Sequence, residues 1–184
     1  SEGLSRKDYP TVDGLRASEV LLDNVRVPAT ALLGAEGAAS QILNTVVNRG
    51  ILAISAEAVG AMAVLYKSTI DYTKQRVQFD HPLSEFQVVK HRLTEMFIEY
   101  NLAKSLCMKA TMLLNQNSED AQRHIHALKF LIGKTSRFVG QNAVQLHGGM
   151  GMTEDLAIAH YFKRLMMIDA TFGHTDIHLD AFVQ

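Results

Sequence analysis

Ala53-Ile-Ser-Ala-Glu-Ala-Val-Gly-Ala-Met-Ala-Val-Leu-Tyr66 carries the periodic signal on which the fold turns. Within it and just upstream, Ile42, Val46, Ala53, Ala56, Val59, Ala63 and Tyr66 recur close to the period of an amphipathic helix, which makes them the expected core stripe. The spacing predicts one long helix from about Ala38 to Gln75, closed by Asp80-His81-Pro82 because the residue before a proline avoids the helical region.

Downstream the pattern stays helical. Ser84 with Gln87 three residues later is a capping-box signal. It predicts a second helix with its core along Val89, Leu93, Met96, Tyr100, Ala103, Cys107, Ala110 and Leu114, ending at Asn115–Asn117. A third helix is expected after Ser118, with Glu119 and Asp120 favoured in its first turn by the helix dipole. It carries Ile125, Leu128, Leu131, Phe138, Val139 and Leu146 and stops at Gly148-Gly149. Thr153 is a suitable cap for a fourth helix, Glu154 to about Thr171, and a short fifth segment runs from His174. Long helices joined by short turns pack antiparallel, so the expected fold is all-α, an up-and-down four-helix bundle.

The front differs. Val20-Leu-Leu22 and Val25-Arg-Val27 read as short strands about a turn at Asp23-Asn24, too little sheet to stand alone. The expected division is a β remnant over 1–35 and a helical bundle over 36–184, the remnant belonging to something larger.

Composition narrows the function classes. The chain of 184 residues is 47% hydrophobic and 20% charged, which excludes disorder. Eighteen Lys and Arg against nineteen Asp and Glu leave no net field to attract nucleic acid or anionic lipid. The run Ile51–Leu65 is broken by Ser55, Glu57 and Gly60 and is short for a bilayer span. The lone Cys107 sits in an apolar helical stretch, so a reducing compartment, the cytoplasm, is expected.

Of the chemistry-bearing motifs, no Glu-x-x-His pair of a di-metal bundle occurs and no Gly-x-Ser-x-Gly elbow. His174 and His178, four apart, could share a metal on one helical face, but surface or capping roles explain them better and no metal is expected. Gln145-Leu-His-Gly-Gly-Met-Gly-Met-Thr153 places unhindered backbone amides where a pyrophosphate could approach, or simply reverses the chain. Arg76 and Phe79 offer a guanidinium and an aromatic face to a nucleotide, or a helix cap and a core ring. Arg49 faces either a charged ligand or solvent.

In order and spacing these motifs resemble the C-terminal part of the flavin-dependent acyl-CoA dehydrogenases. The likeness runs from Leu22-Asp-Asn-Val-Arg-Val-Pro28 and Leu32-Leu-Gly34 through Glu57-Ala-Val-Gly-Ala-Met62, Tyr72-Thr-Lys-Gln-Arg-Val-Gln-Phe79, Phe86-Gln87 and His91. It ends in Gln145–Thr153 and His160-Tyr-Phe-Lys-Arg164. Ile168-Asp-Ala-Thr-Phe-Gly173, with Asp176, His178-Leu179 and Phe182, is most similar to a bacterial branch resembling the small subunit of pimeloyl-CoA dehydrogenases and steroid side-chain enzymes.

The resemblance implies a homo-oligomer or a hetero-oligomer with a related subunit, FAD held between subunits, an acyl-CoA substrate oxidised to the 2-enoyl-CoA, and an electron-transfer flavoprotein or similar acceptor. It assigns Arg76, Phe79, Leu83 and Gln87, with Gln145 and Gly149, to a neighbour's flavin. Thr175 becomes a polar cofactor contact, and Arg49 stands by the acyl-CoA entrance. The family's glutamate base falls on Gly173, or beside Arg49 in Val47-Asn-Arg49, and neither place has a carboxylate. Abstraction of the α-proton then rests on His174, one residue along, or on Asp176 or Asp169. Otherwise the chain is a non-catalytic partner that supports FAD and CoA binding. The absent N-terminal helical domain and flavin-ring strands suggest a fragment.

Overall fold

The computed structural model describes residues 2–184. Contacts divide the chain into two compact units that meet in sequence between Val47 and Asn48.

In the first unit β1 (Leu4–Pro10) and β2 (Arg16–Leu22) form an antiparallel hairpin, in register from Leu4 opposite Leu22 to Pro10 opposite Arg16. The chain reverses over Thr11–Leu15, where the Thr11 amide donates to the Leu15 carbonyl (2.9 Å) and Gly14 takes φ +81°. The turn expected at Asp23-Asn24 is therefore not the hairpin turn, and Val25–Val27 pairs with no strand. Asp13-Gly14 supplies the left-handed residue that a tight reversal needs, and that signal prevails over Asp-Asn. Val20, Leu21 and Leu22 are each more than half exposed, at 57%, 66% and 64%, so the hairpin makes no core of its own.

The helix α1 (Ala39–Gln75) begins in the first unit and runs through the second. Its length matches the expectation, but its buried face does not. Ile51, Ser55, Ala58, Met62, Leu65, Thr69 and Thr73 are buried, whereas Ala53 and Ala56 are exposed, Ile42 and Val46 mostly so, and Val59, Ala63 and Tyr66 only half-buried. Apolar residues occupy more than one face of α1, so periodicity alone does not choose among them. Two of the three hydroxyls on the chosen face are satisfied within the helix, Thr69 donating to the Leu65 carbonyl (2.6 Å) and Thr73 to that of Ile70 (3.0 Å), while the buried Ser55 hydroxyl has no partner among the described residues. By length and composition alone α1 is long and apolar enough to cross a bilayer, and a third of its most apolar stretch is buried in the structure.

After the two-residue strands β3 (Val77–Gln78) and β4 (His81–Pro82), a tight turn over Leu83–Glu85 leads into α2 (Gln87–Asn115). Phe86 holds the cap position without a side-chain bond, so Ser84 and Gln87 form no capping box. Ser84 lies inside the tight turn, too early to reach the first helical amides. The predicted core stripe holds: Val89, Met96, Ala103, Cys107 and Ala110 are buried, and Leu93, Tyr100 and Leu114 half-buried. Burial pushes the Cys107 thiol above its ordinary pKa.

The third helix, α3 (Ala121–His147), starts one residue past Asp120, so Glu119 and Asp120 precede its first turn rather than occupy it. It ends at Gly148, whose φ of +62° suits glycine. Thr153 does not cap α4 (Ala157–Ala170), because its hydroxyl turns back to the Met150 carbonyl (2.9 Å) and Leu156 holds that position. The short α5 (Thr175–Val183) packs on α3. Helices α1–α4 form the four-helix bundle: α3 is in contact with α2, α4 and α5, and α1 meets α2 where Tyr66 packs against Phe97 (5.6 Å) and Tyr100 (6.4 Å). A β-carbon on Gly140 would lie 2.5 Å from the Phe162 ring, so glycine there lets α4 close on α3. Arg164 grips Glu57 with two hydrogen bonds, of 2.6 and 2.8 Å, tying α4 to α1.

Candidate functional site

A cavity of about 700 Å³ opens where α4 turns into α5. Phe130, Lys134 and Arg137 line it from α3, Asp169 from α4, and His174 and Asp176 from the junction and α5. The cavity owes its form to Gly133, whose missing side chain lets the junction lie against α3: a β-carbon there would fall 2.3 Å from the Asp169 carboxylate. Asp169, 5% exposed, accepts from the Thr175 hydroxyl (2.7 Å) and from the Arg137 guanidinium (3.4 Å). Of the three candidate bases, Asp169 is thus committed to its neighbours. The His174 imidazole is exposed on the wall and bonds to no other described side chain, and Asp176 is exposed beside it.

The turn at the glutamate's place has a backbone of its own. Phe172 and Gly173 take φ +59° and +101°, two left-handed residues in succession. Lys129 supports this turn and was not among the sequence candidates. Wholly buried, it donates to the carbonyls of Asp169 (2.9 Å) and Gly173 (2.8 Å). Burial lowers its pKa, against the opposing charge of Asp169. A lysine in a helix normally marks a solvent face, so only its position between the buried Leu128 and Ile132 hinted at this role.

The two places where the resemblance would put a base converge in space. The Phe172 ring covers Gly50, 2.7 Å from where a β-carbon would stand, which brings the turn beside Arg49 on α1. A side chain at Gly173 would be crowded and strained, since a β-carbon there would meet His178 Nε2 at 3.1 Å and the backbone holds φ +101°. His178 is itself 3% exposed, with one ring nitrogen on the Phe172 carbonyl (2.9 Å) and the other on His126 (3.0 Å). It is therefore not free to share a metal with His174. Among the described residues no group of three His, Cys, Asp or Glu side chains is placed to hold one.

The remaining candidates gather at the other end of the bundle. Arg76 leaves α1 into the β3–β4 turn, and its carbonyl accepts the Leu83 amide (2.8 Å). Phe79 and Asp80 make the reversal with φ +55° and +64°, holding the Phe79 ring 85% exposed and edge-on to Phe86 (6.3 Å). Gln87 opens α2, exposed. The Tyr72 ring stacks on His147 (4.3 Å), which joins this corner to the end of α3, where Gln145 is exposed and Gly149 has open space at its α-carbon. The structure therefore brings together Arg76, Phe79, Leu83, Gln87, Gln145 and Gly149, and separately Arg49, His174 and Thr175. About 40 Å of helix separates Arg49 from Arg76 along α1.

Comparison with known proteins agrees on one family. The profile of the acyl-CoA dehydrogenase C-terminal domain matches residues 28–184. The probable acyl-CoA dehydrogenase YngJ of Bacillus subtilis (strain 168) is 30% identical over 170 residues, 92% of this chain and 44% of that protein. The crystal structure of acyl-CoA dehydrogenase from Geobacillus kaustophilus superposes with a TM-score of 0.93 at 26% identity, covering 99% of this chain and 48% of that one. PigA, solved with FAD and proline, superposes with a TM-score of 0.93 at 25% identity over the same shares. The chain spans less than half the length of these relatives.

Proposed function

Since the chain belongs to the acyl-CoA dehydrogenase family, as its C-terminal domain, we propose that it forms part of an FAD-dependent enzyme that oxidises an acyl-CoA thioester to the 2-enoyl-CoA. The observation that carries this reading is the division of the candidate residues between two distant ends of one bundle. A single cofactor cannot touch both ends of one chain, but it can lie between the Arg76 corner of one copy and the Thr175 end of another. The neighbour is a second copy or a related subunit.

The corner suits such a cofactor. Phe79 presents an aromatic face already held in solvent, Arg76 offers a fixed charge for a pyrophosphate, and Gly149 admits close approach of the backbone. When bound, FAD supplies the acceptor for the β-hydride, and an electron-transfer flavoprotein or similar protein takes the electrons onward. This chain's own part is to bind, orient and move a proton. Arg49 stands near the turn to receive the anionic CoA portion. His174 is the side chain on the cavity wall best able to take the substrate α-proton, because imidazole is a competent base at neutral pH and Asp169 is occupied. The narrower placement beside the small subunit of pimeloyl-CoA dehydrogenases rests on residues 168–182 alone.

A second reading, a non-catalytic subunit that completes a partner's site, is favoured by the Phe172–Gly173 turn, where a side chain at position 173 would be crowded by His178 and strained at φ +101°. Anaerobic flavin bleaching of the full-length FAD-loaded protein by a panel of acyl-CoAs, beside His174→Ala, decides between the two. Bleaching lost in the variant supports the enzyme with a displaced base. Retained FAD that no thioester bleaches, with activity restored by a partner, supports the helper. Loss of FAD retention in Arg76→Ala tests the shared site in either case.

A further inference from the structure

The buried His178 and the half-buried His126 form a pair that the proposed chemistry does not use. His178 Nε2 lies 2.9 Å from the Phe172 carbonyl oxygen, which can only accept, so Nε2 carries the proton. The ring is 3% exposed, and burial lowers its pKa. Lys129 and His126 from α3 disfavour its charge further, while the Phe172 carbonyl and Asp169 from α4 oppose them. His178 is therefore neutral at pH 7 with a bare Nδ1. The partner 3.0 Å away is His126 Nδ1, which must supply the proton of that bond. The order of protons is fixed in one direction: His126 Nδ1–H to His178 Nδ1, then His178 Nε2–H to the Phe172 carbonyl. The other tautomer of His178 would set a bare nitrogen against a carbonyl oxygen.

This chain ends on the strained turn. Phe172 holds a left-handed backbone that is costly for a residue with a β-carbon, and Gly173 follows it at φ +101°. Two donors approach from beneath, His178 to the Phe172 carbonyl and Lys129 to that of Gly173. The residue that follows is His174, the N-cap of α5. We propose that His178 is a positioning residue: oriented by the His126 proton, its hydrogen bond to the Phe172 carbonyl locks the Phe172–Gly173 turn and fixes where His174 stands in the cavity. His126 also lines a second surface cavity of about 580 Å³ with Glu119, Arg123 and Phe182, so the far end of the relay is open to solvent. This assignment rests on the proposed function only for its effect on proton abstraction. The locking of the turn stands apart from it.

Hydrogen–deuterium exchange of the full-length FAD-loaded protein, resolved to peptides, tests the lock. His178→Ala should speed exchange of the segment from Thr171 to Ile177 by roughly tenfold, the equilibrium worth of one buried hydrogen bond, with the centre of α3 around Ile132 unchanged. His178→Gln, whose amide can still donate to Phe172, should restore most of the protection. His126→Leu leaves His178 in place but removes the donor that anchors its Nδ1, so the ring is held from one side only, and it should loosen the same segment if His178→Ala does not fold. In the bleaching assay the loosening variants should lower the rate constant while leaving half-saturation by acyl-CoA and FAD content unchanged. Unaltered exchange in His126→Leu, or His178→Gln behaving as His178→Ala, overturns the proposal. Wild-type protein that never bleaches refutes the enzymatic reading, and the exchange arm still decides the lock.

Discussion

A β-carbon on Gly133 would lie 1.9 Å from the Thr175 hydroxyl oxygen, so α5 can dock on α3 only across a glycine. Alanine is the better helix former, worth about 1 kcal/mol at an exposed site. Here the clash reverses the sign. Gly133→Ala should destabilise the protein by about 1–3 kcal/mol, the usual cost of overpacking. In a thermal melt that is roughly 2–4 °C per kcal/mol for a chain of this size. An unchanged or raised melting temperature would show that the junction yields easily.

Lys129→Met keeps the length and the apolar stem but removes the donor to two carbonyls. Leaving both unsatisfied should cost about 2–4 kcal/mol in urea denaturation. The loss should concentrate at the α4–α5 junction, read as faster amide exchange there than in α2. A neutral outcome would mean that water replaces the ammonium.

Burial holds the pKa of both His126 and His178 below the ordinary 6.5. Between the lowered folded values and 6.5 the unfolded chain binds protons that the folded chain does not. Stability is therefore fully present above pH 6.5 and is lost as pH falls through that window, by up to about 1.4 kcal/mol per pH unit for each histidine. Urea denaturation from pH 7.5 to 5 in the wild type and in His178→Gln checks the sign, and the variant should show the shallower slope.

Restoring the family's acid by Gly173→Glu should not restore a base. The new residue would sit at φ +101° with its β-carbon 3.1 Å from His178 Nε2, so it carries backbone strain and displaces the His178 ring that holds the turn. The expected result is lower stability and no gain in flavin bleaching by acyl-CoA. A gain would show that the turn adapts and that the glycine is a simple replacement.

Much of this fold could be read from the chain because long helices announce themselves over many turns. The α2 stripe from Val89 to Leu114 and the stop at Gly148 follow from spacing and from one residue's backbone freedom. Where several answers were locally acceptable, packing chose among them. Ser84 and Thr153 are good capping residues that tertiary turns used otherwise, and α1 offered more than one apolar face. At the site, Gly173 and His174 stood out in the sequence as a departure from a pattern and Thr175 as a match to it. Lys129, Arg137 and the His126–His178 pair were not, because each acts on a segment about 30 or more residues away, and no local rule specifies such contacts. Gly133 and Gly140 likewise look like weak points in a helix until the partner that needs the space is known.

Cys107 is the only thiol in the chain, and it lies buried in α2 with its proton held more tightly than usual. A reagent that needs the thiolate therefore meets two barriers, one of access and one of charge. Both fall together only when α2 moves off its neighbours. The sulfur is thus an internal clock, whose rate of modification counts how often the bundle breathes.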